Sequence, residues 1–242
     1  MRRLLPVFLL GLCFLRATAA FAAEPAPTVA VLYFDYTGKS QELEVLKKGL
    51  AQMLISDLSG SDTIRVVERD RLEDVLTELK LQGSGKVDAK SAVKMGKLLG
   101  AKYLVLGGYF DLQGALRVDA RIIDVETGRV LKSFGANGKP GDFLPVEQQT
   151  ATALGQWFST NLSASTTTAP ATTATPATTP PATKKPPKPP AALKTKTAVT
   201  YSEGLSAADS GDKAKAKEAL TKVVKEQPDF ALASLDLDRL MK

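Results

Sequence analysis

The residue types best suited to nucleophilic, metal and redox chemistry are almost absent from this chain. Its 242 residues include no histidine and a single cysteine, Cys13. Without histidine there is no Ser/His/Asp or Cys/His nucleophile system and no imidazole metal ligand. Without a second cysteine there is no disulfide framework and no iron–sulfur cluster. We therefore expect no cofactor and no metal, and any active site would consist of carboxylate, Lys, Tyr or Ser side chains.

Two short glycine-containing runs come nearest to a phosphate-binding loop. Gly38-Lys39-Ser40 follows an apolar run and precedes a helical pattern. A phosphate loop also needs a glycine five residues earlier, so that backbone amides surround the phosphates, but that position holds Tyr33. In Gly83-Ser84-Gly85-Lys86, the position of the magnesium-binding hydroxyl holds Val87. We interpret the first run as a polar turn that caps a helix and the second as a turn between helices.

Paired carboxylates are the remaining candidates for acid and base catalysis. Asp35 and Asp111 each end a predicted strand, and the sequence alone does not say whether they meet. Asp119 lies between two arginines of one predicted strand, which indicates charge pairing across strands. We expect that this protein is not an enzyme. The catalytic hypothesis would require turnover that is lost on changing Asp35, Asp111 or Lys39.

The first 22 residues have the three parts of an export signal. Arg2-Arg3 precedes the apolar run Leu4–Leu15, and Ala20 and Ala22 occupy the small-residue positions of a cleavage site. The run ends at Arg16 and is shorter than the about 20 residues that span a bilayer. A lipid-attachment signal needs a small residue before its cysteine, whereas here a leucine precedes it. We expect cleavage after residue 22, export to the periplasm and no acylation.

The basic charge lies outside the segments that look folded. The net charge of +6 divides into +3 over residues 1–23, −1 over 24–162, +5 over 163–199 and −1 over 200–242. A basic face of the kind that binds nucleic acid is missing from both nearly neutral segments. We therefore expect no nucleic-acid partner.

Residues 23–162 predict one α/β domain, with a mixed sheet and flanking helices in two or three layers. Asp70 followed by Glu73 is like a capping box, Asp88 can cap the next helix, and Gly100 can end it. Apolar and polar residues alternate over 115–125, as in a half-buried strand. Strands are expected at 29–34, 64–69, 103–112, 115–125 and 129–134, and helices at 41–58, from Asp70, from Asp88 and at about 146–162.

The rest of the chain has two different compositions. Residues 163–199 hold eight of the 14 prolines, eleven threonines and no aromatic residue, which predicts a disordered tether. Residues 200–242 predict helices. One repeat folds poorly alone, so we expect this segment to pack on the main domain, on another subunit or on a partner. A plain helical hairpin and one tetratricopeptide-like unit remain alternatives, the latter from the offsets of Gly204, Ala216, Leu220, Val223 and Pro228.

Four segments resemble the CsgG/HfaB family, the curli-secretion type of envelope protein. They are Met53–Ser59, Val66–Leu72, Leu98–Gly107 and Leu116–Gly128, in order within residues 29–162. The resemblance implies a non-enzymatic α/β domain that assembles side by side into rings, in the periplasm or at the inner face of the outer membrane. The residues that carry the motifs are Glu68, Arg69, Leu72, Gly107, Asp119, Asp124, Thr127 and Gly128.

The chain departs from the channel-forming members, which insert membrane-spanning β-hairpins into the strand region. The first insertion point holds only Asp111–Ala115, and the second, Gly135–Pro145, is too short for two strands of about 9–11 residues. The lipid-anchoring cysteine is also missing from its expected place. The resemblance therefore implies an oligomeric scaffold or accessory component of envelope assembly or secretion. The alternative is a monomeric adaptor or activator of an envelope (cell-wall) enzyme. Both act on protein partners in the envelope, with at most peripheral outer-membrane contact.

Overall fold

A mixed β-sheet forms the centre of the part of the chain that the computed structural model describes, residues 25–79, 89–112, 114–139, 141, 143–163 and 193–242. Its strands are β1 (Thr28–Val31), β2 (Asp35–Tyr36), β3 (Arg65–Val66), β4 (Tyr103–Leu112), β5 (Ala115–Asp124) and β6 (Val130–Gly138). The order is β3-β1-β4-β5-β6, with β2 beside β4. β1 is parallel to β3 and β4, whereas β4, β5 and β6 are antiparallel. The predicted mixed sheet is confirmed.

Helices cover both faces of this sheet. They are α1 (Gln41–Glu44), α2 (Lys47–Ser59), α3 (Arg69–Glu78), α4 (Ala89–Leu98), α5 (Phe143–Ser163), α6 (Thr195–Asp209), α7 (Lys213–Glu226) and α8 (Ala231–Met241). Val29 and Val31 pack into a core with α2 and α5, while Ala30 and Leu32 pack into a second core with α3 and α4. β1 is thus buried on both faces, as the continuous apolar run predicts, and the domain has three layers.

Several strand boundaries differ from those predicted. The strand expected at 29–34 is interrupted after β1, although the Leu32 amide still donates to the Val105 carbonyl at 2.8 Å and pairing with β4 resumes at β2. The strand expected at 64–69 pairs only over β3, because Glu68 is already the residue preceding α3. The last strand is longer than expected and extends through Gly138, since β6 pairs along most of β5.

Helix boundaries also needed correction. The helix expected at 41–58 is two helices, because the Leu46 amide donates to the Leu43 carbonyl at 3.1 Å and so closes α1. Asp70 is not a cap: Glu68 is the N-cap residue of α3, without a side-chain cap hydrogen bond. The helix expected from about 146 begins at Phe143.

The α4 helix ends as predicted, because Gly100 adopts a φ of +64° after its last turn. Ala92, Met95 and Leu99 are buried. Leu98 was expected on the same stripe but is 40% exposed, because the last turn directs it away from the core. Asp88, the predicted cap, lies outside the described residues.

The C-terminal helices pack on the α/β domain, one of the three places expected for them. Gly49 of α2 meets Ser202 of α6, and a Cβ atom on Gly49 would overlap the Ser202 hydroxyl. Tyr201 is buried among the three helices and donates to Asp236 at 2.6 Å. Helix α6 begins at Thr195, inside the range assigned to the linker. The helices are confirmed, and their tetratricopeptide character stays a prediction.

Candidate functional site

Four of the motif residues shape the backbone. Thr127 donates to Asp124 Oδ1 through both its amide and its hydroxyl, each at 2.7 Å, and Gly128 adopts a φ of +68°. The Thr127 hydrogen bonds hold the pKa of the Asp124 carboxyl below its ordinary value. Gly107 lies where β4 and β5 approach closely, so a side chain there would overlap the Asp119 carbonyl oxygen. These residues form a turn and a tight strand contact.

The carboxylates at the strand ends do not form a catalytic pair. The Tyr36 hydroxyl donates to Asp111 and accepts from the Ser40 amide. Because side chains alternate along a strand, Asp35 lies on the opposite face of the sheet from Tyr36 and its partner. Ser40 Oγ accepts from the Leu43 amide at 3.3 Å, so the glycine-containing run is the helix-capping turn that the sequence predicts.

Asp119 is paired within its own strand. Arg117 Nη2 lies 2.7 Å from Asp119 Oδ1, and both side chains are more than a third exposed. The cross-strand pairing expected here is wrong, because residues two apart on one strand share a face and come within reach of each other.

Arg69 and its partners form a partly buried ion-pair network, which we call the Arg69 cluster. Arg69 Nη1 donates to both carboxylate oxygens of Asp209, at 2.6 and 2.7 Å. Lys48 Nζ contacts the same carboxylate at 2.5 Å and Glu73 at 2.8 Å. The Tyr33 hydroxyl also donates to Glu73. The cluster joins the chain after β1 and helices α2 and α3 to the last residue of α6.

The charges of the Arg69 cluster stabilise one another. Burial alone would raise the pKa of Asp209, but hydrogen bonds and charge attraction from Arg69 and Lys48 outweigh it and lower that pKa. Arg69 is only 7% exposed. Of the two neighbouring motif residues, Glu68 is the N-cap residue of α3 and Leu72 is buried in the core between α3, α4 and the sheet. Arg69 is therefore a docking residue for the C-terminal helices.

A cavity of about 200 Å³ lies at the other end of this junction, between α2, α5 and the α7–α8 turn. We call it the Glu147 pocket, after the residue at its buried end. Glu147 is 1% exposed, and its Oε1 has no hydrogen-bond partner within the described ranges. The residues lining the pocket are Met53, Ser56, Asp57, Leu144, Glu147, Gln148, Leu193, Gln227, Asp229, Phe230, Ala231 and Leu232.

The Glu147 pocket is electrostatically unbalanced. Burial raises the pKa of Glu147 well above its ordinary value, and the charge of Asp57 adds to that effect. Partial burial also raises the pKa of Asp57. Among the described residues that line the pocket there are three carboxylates and no lysine or arginine.

Sequence reasoning missed Asp209 and Glu147 for different reasons. Asp209 lies 140 residues from Arg69, and no local pattern connects them. Glu147 had a readable signal: it occupies the buried helical stripe of α5 with Phe143, Leu154 and Phe158. A glutamate in such a stripe is a buried charge. Ala20 and Ala22, the predicted cleavage positions, lie outside the described residues.

The described residues hold no group of three or more Asp, Glu, Cys or His side chains that could bind a metal ion. Within the same ranges, no helix has both the length and the apolar composition to cross a membrane. What these residues define is a three-layer α/β domain that the Arg69 cluster joins to three helices, with the Glu147 pocket at the same junction.

Comparison with known proteins shows which family the first part of the α/β domain resembles. Residues 21–113 match the family model described as curli production assembly/transport component CsgG. This match confirms the CsgG-like resemblance over residues 21–113, which include three of the four sequence segments that predict it. The comparison with curated proteins gives no significant match.

Several solved structures are similar at low identity. The LpoB C-terminal domain from Salmonella enterica is 14% identical over 50% of this chain and 87% of that one, with a TM-score of 0.41. Lipoprotein GNA1162 from Neisseria meningitidis is 12% identical over 56% of this chain and 99% of that one, with a TM-score of 0.40. A PelC dodecamer from Paraburkholderia phytofirmans is 14% identical over 55% and 90%, with a TM-score of 0.34.

Proposed function

We propose that this chain is a non-enzymatic accessory protein of the cell envelope that acts as an oligomeric scaffold in assembly or secretion. The CsgG-like family and the export signal predicted from residues 1–22 support the compartment. The contacts that the structure gives to Arg69, Gly107 and Asp124 support the absence of catalysis, since they hold elements and turns in place. The scaffold acts through protein partners. The C-terminal helices stay attached to the domain because the Arg69 cluster holds them to it.

The observation that carries the scaffold proposal is the open edge at β6. This strand ends the sheet, so its outer backbone groups are not paired within the sheet. Residues 130–133 are exposed on both faces, including Val130 at 52% and Leu131 at 43%. A long edge strand with exposed apolar side chains is a template for pairing with another chain. A second copy of this domain supplies such a chain.

The test is the mass of residues 23–242 in solution, measured by light scattering after size exclusion. We expect a defined multimer, and Leu131→Glu should convert it to a monomer by placing a charge at the edge. Leu235→Glu is the matched control, because it adds the same charge to another exposed leucine, on α8. A strictly monomeric wild-type chain at high concentration would contradict the scaffold.

The second candidate function is a monomeric adaptor or activator of an envelope enzyme. Leu235 and Met241 on α8 are 56% and 57% exposed, which favours a partner at the C-terminal helices. This reading reverses the roles of the two variants. Leu235→Glu should then abolish co-purification with one envelope partner, and Leu131→Glu should leave it unchanged.

A further inference from the structure

We propose that the Glu147 pocket binds a basic side chain of a partner protein, an ammonium or guanidinium group at the end of an apolar stem. This inference rests on the proposed function, since it names the chemistry by which a partner is held. The site itself is defined by the cavity, its buried carboxylate and its apolar walls.

The unpartnered Glu147 oxygen is the first reason to expect a ligand. Buried carboxylates in folded proteins are normally hydrogen-bonded or paired, because an isolated one costs free energy. Glu147 Oε1 is buried at the cavity and has no partner among the described residues. A donor that enters the cavity would remove this cost, and a cationic donor would also favour the ionised carboxylate.

The charges that face Glu147 select a cation. Asp57 reaches the pocket from α2, and Asp229 reaches it from the turn between α7 and α8. Both are exposed at the rim, whereas Glu147 is at the buried end. Gln227 donates to Asp229 at 3.0 Å, and the described residues that line the pocket provide no positive charge. The rim carboxylates attract the cation and the buried carboxylate pairs with it.

The walls distinguish an organic cation from an inorganic one. Met53 and Leu144 are buried in the lining, and Phe230 and Leu232 contribute half-buried apolar surface. Calcium and magnesium prefer sites made of oxygen ligands, so apolar walls do nothing for them. They suit the methylene stem of lysine or arginine, which packs on apolar surface while its charged end reaches a polar group. The volume of about 200 Å³ suits one long side chain.

The experiment is an NMR titration of the isotope-labelled chain with Nα-acetyl-lysine methylamide. Its Nε-acetylated form, which is neutral, is the matched ligand control. We expect saturable shifts at residues of α5 and the α7–α8 turn with the cationic probe only. Nα-acetyl-arginine methylamide compares the two basic side chains, and butylammonium shows whether the stem and charge suffice without a peptide backbone.

Variants distinguish the contribution of charge pairing with Glu147 from that of the shape of the pocket. Glu147→Gln keeps the size of the side chain and removes its charge, and should weaken binding roughly tenfold. Glu218→Gln, on the exposed face of α7, makes the same change outside the pocket and should have no effect. Asp57→Asn should weaken binding by a smaller factor and provides a second test if Glu147→Gln fails to fold. Affinity for the lysine probe should rise with pH, with a proton released on binding, because the cation pairs with ionised Glu147.

Equal binding of the neutral probe, equal affinity in the Glu147→Gln variant, or no saturable shift with any probe would overturn the site. These outcomes are independent of the oligomer test. A monomeric chain that still binds the lysine probe would refute the scaffold and leave the pocket standing, whereas a multimer without binding would do the reverse.

Discussion

The junction between the α/β domain and the C-terminal helices has a buried charge at each end, and only one of the two is paired. In the Arg69 cluster, Arg69 is 7% exposed and donates to both oxygens of Asp209. In the Glu147 pocket, Glu147 is 1% exposed and one of its oxygens has no partner in the described part of the chain. The junction therefore contains one satisfied and one unsatisfied set of charges.

This difference separates docking from binding. A paired cluster around a buried arginine fixes how two elements meet, although its net contribution to stability is small once desolvation is counted. An unpaired buried carboxylate fixes nothing within the chain and only costs free energy. The Arg69 cluster therefore explains how the C-terminal helices are held. The Glu147 pocket indicates where a ligand is expected to bind.

The largest effect on stability should come from removing a carboxylate of the Arg69 cluster. Asp209→Ala leaves Arg69 and Lys48 without their main carboxylate, and we expect it to lower the free energy of unfolding by about 3 kcal/mol. Urea denaturation measures this loss. Glu203→Ala, an exposed carboxylate on α6, should change little. An apolar double replacement of Arg69 and Asp209 should recover most of the loss, and failure to recover would mean that the cluster acts through more than its charges.

A smaller effect should appear in the pH dependence of stability. The raised pKa of Glu147 means that, as pH falls, the native state takes up a proton before the unfolded chain does, since the unfolded chain stays ionised down to about 4.3. The free energy of unfolding should therefore rise over that interval, by at most about 1.4 kcal/mol per pH unit for this carboxyl. Glu147→Gln should remove this part of the rise, measured as the difference from wild type in urea denaturation across a pH series.

In the Arg69 cluster, the pH dependence of the free energy of unfolding has the opposite sign. The lowered pKa of Asp209 means that its contribution is complete above about 4 and is lost as pH falls further, through its native pKa. Asp209→Asn should therefore flatten the loss at low pH and leave the Glu147 rise in place. The raised pKa of Asp236 contributes in both proteins and cancels in the difference, whereas the contribution of Asp57 cancels only in part because its charge also acts on Glu147. Parallel curves for wild type and Glu147→Gln would refute the unpaired state of that carboxyl.

The comparison also shows which features of the chain were readable from its sequence. The alternation of Leu116, Val118, Ala120 and Ile122 placed one face of β5 in the core, and all four are buried. The alternation of apolar residues is a local property of the sequence, so it can be interpreted without knowledge of the rest of the fold. Gly100 ended α4 as predicted for the same reason.

The features that failed depend on distant partners. Glu73 looked like half of a capping box with Asp70, but its carboxylate is used by Tyr33 and Lys48, which come from other elements. Arg69 was identified only as a motif residue, because Asp209 follows 140 residues later. Both errors arose at the junction, where tertiary contacts override local preference.

The smallest expected effect comes from an ion pair on the surface, and it tests whether burial is the controlling variable. Lys47 Nζ lies 3.2 Å from Glu44 Oε1, but the two side chains are 25% and 60% exposed. Exposed pairs contribute about 0–1 kcal/mol, and a cation at the first residue of α2 opposes the helix dipole. Lys47→Ala should therefore change the free energy of unfolding by less than about 0.5 kcal/mol in urea denaturation. If it cost as much as Asp209→Ala, distance rather than burial would set the strength of these pairs, and the contrast between the two ends of the junction would lose its physical basis.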